Sequence, residues 1–116
     1  MTSTNEISIE KHCSPCRGGV EPMDSHSIDS FVTQLSGWEV ADNHHLWKNF
    51  TFPDFKSALA WVLKIGDLAE REGHHPEITL GWGRVRVEIW THKVNGLTEN
   101  DFLLAAKVDA LPGEPP

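Results

Sequence analysis

The stretch 53–76 constrains the fold of this chain more than any other. Within it Phe55, Ala58, Leu59, Val62, Ile65, Gly66 and Ala69 recur at helical spacing, and Asp54 stands where its carboxylate can accept from the first unpaired backbone N–H groups. Gly73 is placed to end the helix in a left-handed cap, and Pro76, which has no N–H to donate, prevents continuation. A helix of this kind draws most of its stability from tertiary packing, so the rest of the chain must supply a surface that covers its apolar side.

Both flanks supply strands. Residues 38–41 and 46–52 are short, aromatic and partly alternating, with Asp42-Asn43 as turn chemistry between them, and they predict a hairpin. After the helix, 78–82 and 84–91 are strand-like, the second carrying Val85, Val87 and Ile89 on one face and Arg84, Arg86 and Glu88 on the other. Gly81-Trp82-Gly83 suits the turn or bulge between them. A first helix is expected from Ser27, where Ile28, Phe31, Val32 and Leu35 follow helical spacing and Gly37 stands as its cap. A last one opens on the capping-box pattern Thr98-x-x-Asp101, with Phe102, Leu104, Ala105, Val108 and Leu111 as its apolar side and Pro112 beyond its end. The order implies an α+β fold, a four-stranded antiparallel sheet with helices packed on one face. The expected organisation is an arm over 1–24, one domain over 25–112 and a tail over 113–116.

With 116 residues there is room for one core, and five Trp with five Phe among 39% apolar residues give it enough large side chains. The net charge of −7 argues against direct nucleic-acid binding, which depends on positive charge. No apolar run is long enough for a membrane span, and the first twenty residues lack a secretory signal pattern, so the expectation is a soluble, cytoplasmic protein. Cys13 and Cys16 form one Cys-x-x-Cys, too little to staple a domain and consistent with a reducing compartment. As a zinc site it would need ligands such as His12 or His26, and as a redox site a strand-to-helix context that 7–23 does not show.

The residues suited to chemistry are histidines: the adjacent pair His74-His75 after the long helix, and His92 at the end of the strongest strand. Element ends facing one edge can bring such side chains together, and imidazole exchanges protons near neutral pH. A three-histidine metal site is the competing reading, weakened because adjacent side chains on an extended segment diverge. His44-His45 is another adjacent pair, in an expected turn, and reads as solvent-exposed. Glu70, four residues before His74, could orient a ring nitrogen or bind a cationic group. Asp101 has a structural job as the partner of Thr98, and Trp82 and Trp90 could wall a flat ring or serve the core. No phosphate-binding glycine loop and no nucleophile elbow occurs.

The string Glu70-Arg-Glu-Gly-His74-His75-Pro76-Glu77, then Thr91-His92, then Gly96-Leu97-Thr98-Glu99-Asn100-Asp101, resembles the signature of the pterin-4a-carbinolamine dehydratase family. The resemblance runs from about Gly37-Trp38 through Asp109, and the interval from His75 to His92 matches the family's spacing. The Cys13-x-x-Cys16 segment is similar to arms of bacterial and plant members. Ile78 stands where the family usually has an aromatic, and Gly73 where some members have an acidic residue. The resemblance implies dehydration of 4a-hydroxytetrahydrobiopterin to the quinonoid dihydropterin, a recycling step after aromatic amino-acid hydroxylation. His74 and His92 would be acid and base, His75 would bind and orient the pterin, and Glu70, Pro76 and Thr91 would complete the substrate site. The pterin is the substrate, so no separate cofactor and no metal are implied. The expected partners are copies of the chain, as a homodimer or homotetramer, and a hydroxylase of the same pathway. A non-catalytic scaffold on the same fold, a transcriptional coactivator or an assembly factor, is the alternative, and a metal-dependent hydrolase is third.

Overall fold

The computed structural model describes residues 7–11 and 21–113. The Cys13–Cys16 motif and His12 lie outside the described residues. In chain order the elements are α1 (Ser25–Val32), β1 (Glu39–Ala41), β2 (His45–Thr51), α2 (Phe55–Glu72), β3 (Glu77–Gly81), β4 (Arg84–Ile89) and α3 (Glu99–Asp109), with a single 3-10 turn over His92–Val94. The strands form one antiparallel sheet in the order β1-β2-β4-β3, as the sequence predicts in class.

Strand alternation decides which side of the sheet the helices cover. Leu46 lies opposite Ile89 and Phe50 opposite Val85, and these four side chains are buried together with Val87. Ile78 and Leu80 extend the same face on β3, and Val40 does so on β1. The opposite face carries Trp47, Asn49, Thr51, Arg84, Arg86 and Glu88, with the Arg86 guanidinium 4.3 Å from the Trp47 ring centroid. On the covered face α1 adds Ile28 and Phe31, the latter stacked on Phe102 of α3 at 5.2 Å. Trp61 of α2 packs on Phe50 and Phe52. Among the described residues its buried indole N–H has no hydrogen-bond partner, a cost of about 1–3 kcal/mol. Burying the ring, at ~25 cal/mol per Å² over roughly 150–250 Å², outweighs that cost.

The long helix ends where the sequence places its ends. Asp54 accepts from the backbone N–H of Ser57 at 2.7 Å, and Gly73 takes the left-handed conformation at φ 65°. Its buried side differs from the expected stripe, consisting of Ala58, Trp61, Ile65, Leu68 and Ala69. Phe55, Leu59 and Leu63 remain exposed, because burying the large Trp61 and Leu68 turns the helix away from the 55–59 side. Two further expectations need correction. The first helix stops at Val32 in a right-handed cap at Thr33, and Gly37 instead turns the chain at φ 80° just before β1. The strand over 84–91 ends at Ile89, because Thr91 pairs with Gly96 to close a separate loop.

The two hairpins use left-handed residues as expected of their turn chemistry, Asp42 and Asn43 in one and Gly83 in the other. A Cβ on Gly83 would lie 2.9 Å from the carbonyl oxygen of Phe52, so position 83 demands glycine on both steric and conformational grounds.

At the far end of α3, Asp109 joins three segments. Its carboxylate accepts from Trp38 Nε1 and Lys48 Nζ, each at 2.9 Å, and Lys48 also donates to the Ser36 carbonyl at 2.8 Å. Lys107 reaches back to Glu72 at the end of α2, 2.9 Å away, with both side chains largely buried. The leading segment contacts the same body, Ile7 N donating to Gln34 Oε1 at 2.8 Å.

The hydrogen bond from Ser57 holds the Asp54 carboxyl below the usual carboxylate range. The capping contribution is therefore complete above the ordinary value of about 4 and disappears as pH falls through the lower folded-state value. Asp54→Asn keeps an acceptor at the cap but does not titrate. The expected outcome is a shallower fall in melting temperature on acidification below about pH 4 than in the wild type, measured by circular dichroism; parallel curves would remove this role.

Candidate active site

Three segments from distant parts of the sequence meet at the N-terminus of α3: the loop after α2 with His74 and His75, the end of β4 with Thr91 and His92, and the first turn of α3 itself. Thr98 and Asp101 form the predicted capping box, with Thr98 N donating to Asp101 Oδ2 at 2.8 Å. The same oxygen accepts from the Thr91 hydroxyl at 2.8 Å, and the Thr98 hydroxyl lies 2.9 Å from that of Thr91. The other oxygen, Oδ1, lies 2.6 Å from His74 Nε2. Asp101 is fully buried and the His74 side chain is 13% exposed.

A capping role for Asp101 is thus correct but incomplete. One oxygen caps the helix and the other holds a histidine ring. A carboxylate is an acceptor only, so the contact places a proton on His74 Nε2 and leaves Nδ1 as the ring's acceptor. The sequence signal for this second role is the side chain's capacity: a carboxylate offers more lone-pair sites than a capping box uses.

His75 is more exposed, and its Nε2 meets Glu70 Oε2 at 2.5 Å. Glu70 therefore orients the second histidine of the pair and not the first. Pro76 is half-buried and leads directly into β3. Thr91 is buried, its hydroxyl engaged with Asp101 and Thr98. His92 is exposed, and its ring stacks on Trp90 with centroids 4.5 Å apart and planes 2° from parallel. The His92 loop is closed by Thr91 N donating to the Gly96 carbonyl at 2.9 Å, and Asn95 turns it at φ 52°.

The structure thus links His74 and His92 through one carboxylate, since Asp101 holds the His74 ring and the residue preceding His92. Of the two tryptophans, Trp90 belongs to this neighbourhood, whereas Trp82 is 74% exposed at the tip of the β3–β4 hairpin. His44 and His45 are not solvent-exposed as expected. Both are half-buried and pack against Trp90, at 5.3 and 5.9 Å between centroids. Among the described residues no three His, Cys, Asp or Glu side chains are grouped to hold a metal ion. No helix of the described residues is long and apolar enough to cross a membrane.

Comparison with known proteins identifies the family and the fold. The sequence profile of the family described as pterin 4 alpha carbinolamine dehydratase matches residues 21–111. A protein of Rubrobacter xylanophilus with the provisional name pterin-4-alpha-carbinolamine dehydratase is 51% identical over 102 residues, 88% of this chain and 95% of its own length. One of Rickettsia bellii, with the same provisional name, is 49% identical over 112 residues, 96% of this chain and 98% of its own. The crystal structure of a transcriptional coactivator/pterin dehydratase from Brucella melitensis superposes with a TM-score of 0.73 at 31% identity, covering 78% of this chain and 97% of the other. A pterin dehydratase-like protein identified as a RuBisCO assembly factor in the alpha-carboxysome superposes at 0.57 with 27% identity, covering 69% and 94%. The chain belongs to the pterin 4 alpha carbinolamine dehydratase family.

Proposed function

We propose that the protein dehydrates 4a-hydroxytetrahydrobiopterin to the quinonoid dihydropterin by histidine acid–base catalysis, in the recycling of tetrahydrobiopterin. The observation that carries this reading is the hydrogen bond of His74 to the fully buried Asp101. A binding surface has no need of a histidine held in one tautomer by a buried carboxylate, whereas proton transfer does.

In the reaction the C4a–O bond breaks, N5 loses its proton, and the N5 lone pair forms the new double bond to C4a. His74, protonated on Nε2 toward Asp101, accepts the N5 proton on Nδ1. His92 delivers a proton to the departing hydroxyl, which leaves as water. Solvent restores both rings, so the proton count closes without a further reagent. His75, oriented by Glu70, and Pro76 border the substrate, and Thr91 keeps Asp101 and the His92 loop in register. No separate cofactor or metal enters these steps, and a reducing, cytoplasmic setting suits the substrate.

Association of copies into dimers or tetramers fits the open edge of β3 and the exposed Phe55, Leu59 and Leu63 on α2. A scaffold role, as coactivator or assembly factor, is the second reading, favoured by the descriptions of the two similar solved structures.

His74→Ala and His92→Ala are each expected to lower the rate of quinonoid dihydropterin formation above the spontaneous baseline by about 10²- to 10⁴-fold. Wild-type rates in folded variants would reject the acid and base roles of these histidines, and no acceleration by the folded wild type would favour the scaffold. His75→Ala should chiefly weaken binding of a dihydropterin analogue, and unchanged affinity would remove that role. Asp101→Asn tests positioning separately, because its amide oxygen can keep the bonds from Thr98 and Thr91 while its NH₂ group faces His74 Nε2. That reverses the tautomer, so kcat should fall by about 10²- to 10⁴-fold in a protein that still melts cooperatively. An unaltered kcat would show that the His74 tautomer does not matter.

A further inference from the structure

The adjacent pair His44-His45 has a geometry its sequence position does not suggest. Divergence of neighbouring side chains holds where both residues are extended, but His44 belongs to the turn and only His45 to β2. The two Nδ1 atoms consequently face each other at 3.1 Å. The outer nitrogens are engaged elsewhere. His44 Nε2 lies 2.9 Å from Asn95 Oδ1, and His45 Nε2 lies 3.5 Å from the Glu88 carboxylate.

These outer contacts bear on where the protons are. An amide oxygen accepts and cannot donate, so the contact with Asn95 requires the His44 proton on Nε2. The negative charge of Glu88 favours the same tautomer in His45. A proton on His45 Nδ1 makes the contact an ordinary N–H···N bond, whereas the tautomer facing Glu88 leaves two lone pairs directed at each other at hydrogen-bond distance. The second arrangement leaves room between the rings for a positive centre, either an additional proton or a metal cation.

We propose that His44 and His45 form a two-imidazole site for a divalent transition cation, zinc being the simplest probe. Bonds of about 2.0–2.1 Å from one ion to nitrogens at the observed separation subtend roughly 100°, between the octahedral and tetrahedral values. Imidazole nitrogen is a suitable ligand for zinc, nickel and copper. Each ring has the orienting partner typical of metal-bound histidine, a carbonyl oxygen for His44 and a carboxylate for His45. Both residues are half-buried, so water completes the coordination shell. Trp90 contacts this pair and His92 alike, and Asn95 belongs to the His92 loop, but neither histidine is assigned a role in the dehydratase reading, and the proposal does not rest on it.

The test is calorimetric titration of the full-length chain with zinc, in a Cys13→Ser, Cys16→Ser background that removes the thiol ligands of the arm. One equivalent is expected to bind, with affinity reduced at least tenfold by either His44→Gln or His45→Gln. Asn95→Gly, which suits the left-handed backbone at that position, should weaken binding by about tenfold through loss of ring orientation alone. Imidazole ¹H–¹⁵N spectra should show zinc on Nδ1 of both rings. Absence of binding in the cysteine-free protein, or binding indifferent to both histidine substitutions in variants with wild-type melting curves, would overturn the proposal. Spectra showing only a shared proton between the rings, unchanged by zinc, would do so as well.

Discussion

The Asp101 carboxylate is the constraint on which the rest of the site depends. Removing a carboxylate from water is costly unless its lone pairs find donors, and here the backbone of Thr98, the hydroxyl of Thr91 and the ring of His74 supply them. Each donor comes from a different element, so satisfying one buried charge positions three segments together. The arrangement makes the helix cap and the geometry of the candidate site one object: the first turn of α3 is not completed without also fixing His74.

The opposite end of α3 follows the same logic with reversed electrostatics. Asp109 stands at a helix C-terminus, where the backbone dipole disfavours negative charge. Lys48 and the Trp38 indole N–H compensate, and Lys48 also lies over the faces of Trp38 and Phe50, at 5.9 and 4.9 Å from their centroids. Lys107 with Glu72 ties the last turn of α3 to the end of α2. The apolar core supplies the attraction between layers, while these charged contacts select one axial position for α3 among those that burial alone would permit.

What the sequence made legible was local in origin. Both ends of α2, the left-handed turn residues, the alternation of β4 and the box opening α3 rest on hydrogen bonds or steric limits within a few residues, and those appear directly in residue order. The misreadings concern questions that only tertiary packing settles. The buried stripe of α2 contains Trp61 and Leu68 because large side chains compete for the sheet surface, and spacing alone ranks the neighbouring stripe equally. Gly37 satisfies the pattern of a helix cap but is used to enter β1. Within the site, the motif histidines were visible, whereas the second oxygen of Asp101 and the stacking of Trp90 on His92 join residues whose proximity exists only after folding. His44 and His45 misled for a related reason, since a turn position suggests exposure, whereas His45 opens β2 and both rings pack on Trp90.

The strand order also bears on how the chain reaches this state. β3 and β4 are joined by a two-residue turn and β1 and β2 by a short one, so each hairpin can form locally within microseconds. The central pairing, β2 with β4, must instead wait until α2 and β3 have been looped out between them, with Leu46 meeting Ile89 across about half of the domain's length. Until that closure β4 presents an unpaired, valine-rich edge flanked by a preformed hairpin. The slow step of folding therefore coincides with the exposure of the segment best able to recruit a second chain, and successful folding depends on closing the centre of the sheet before another molecule does.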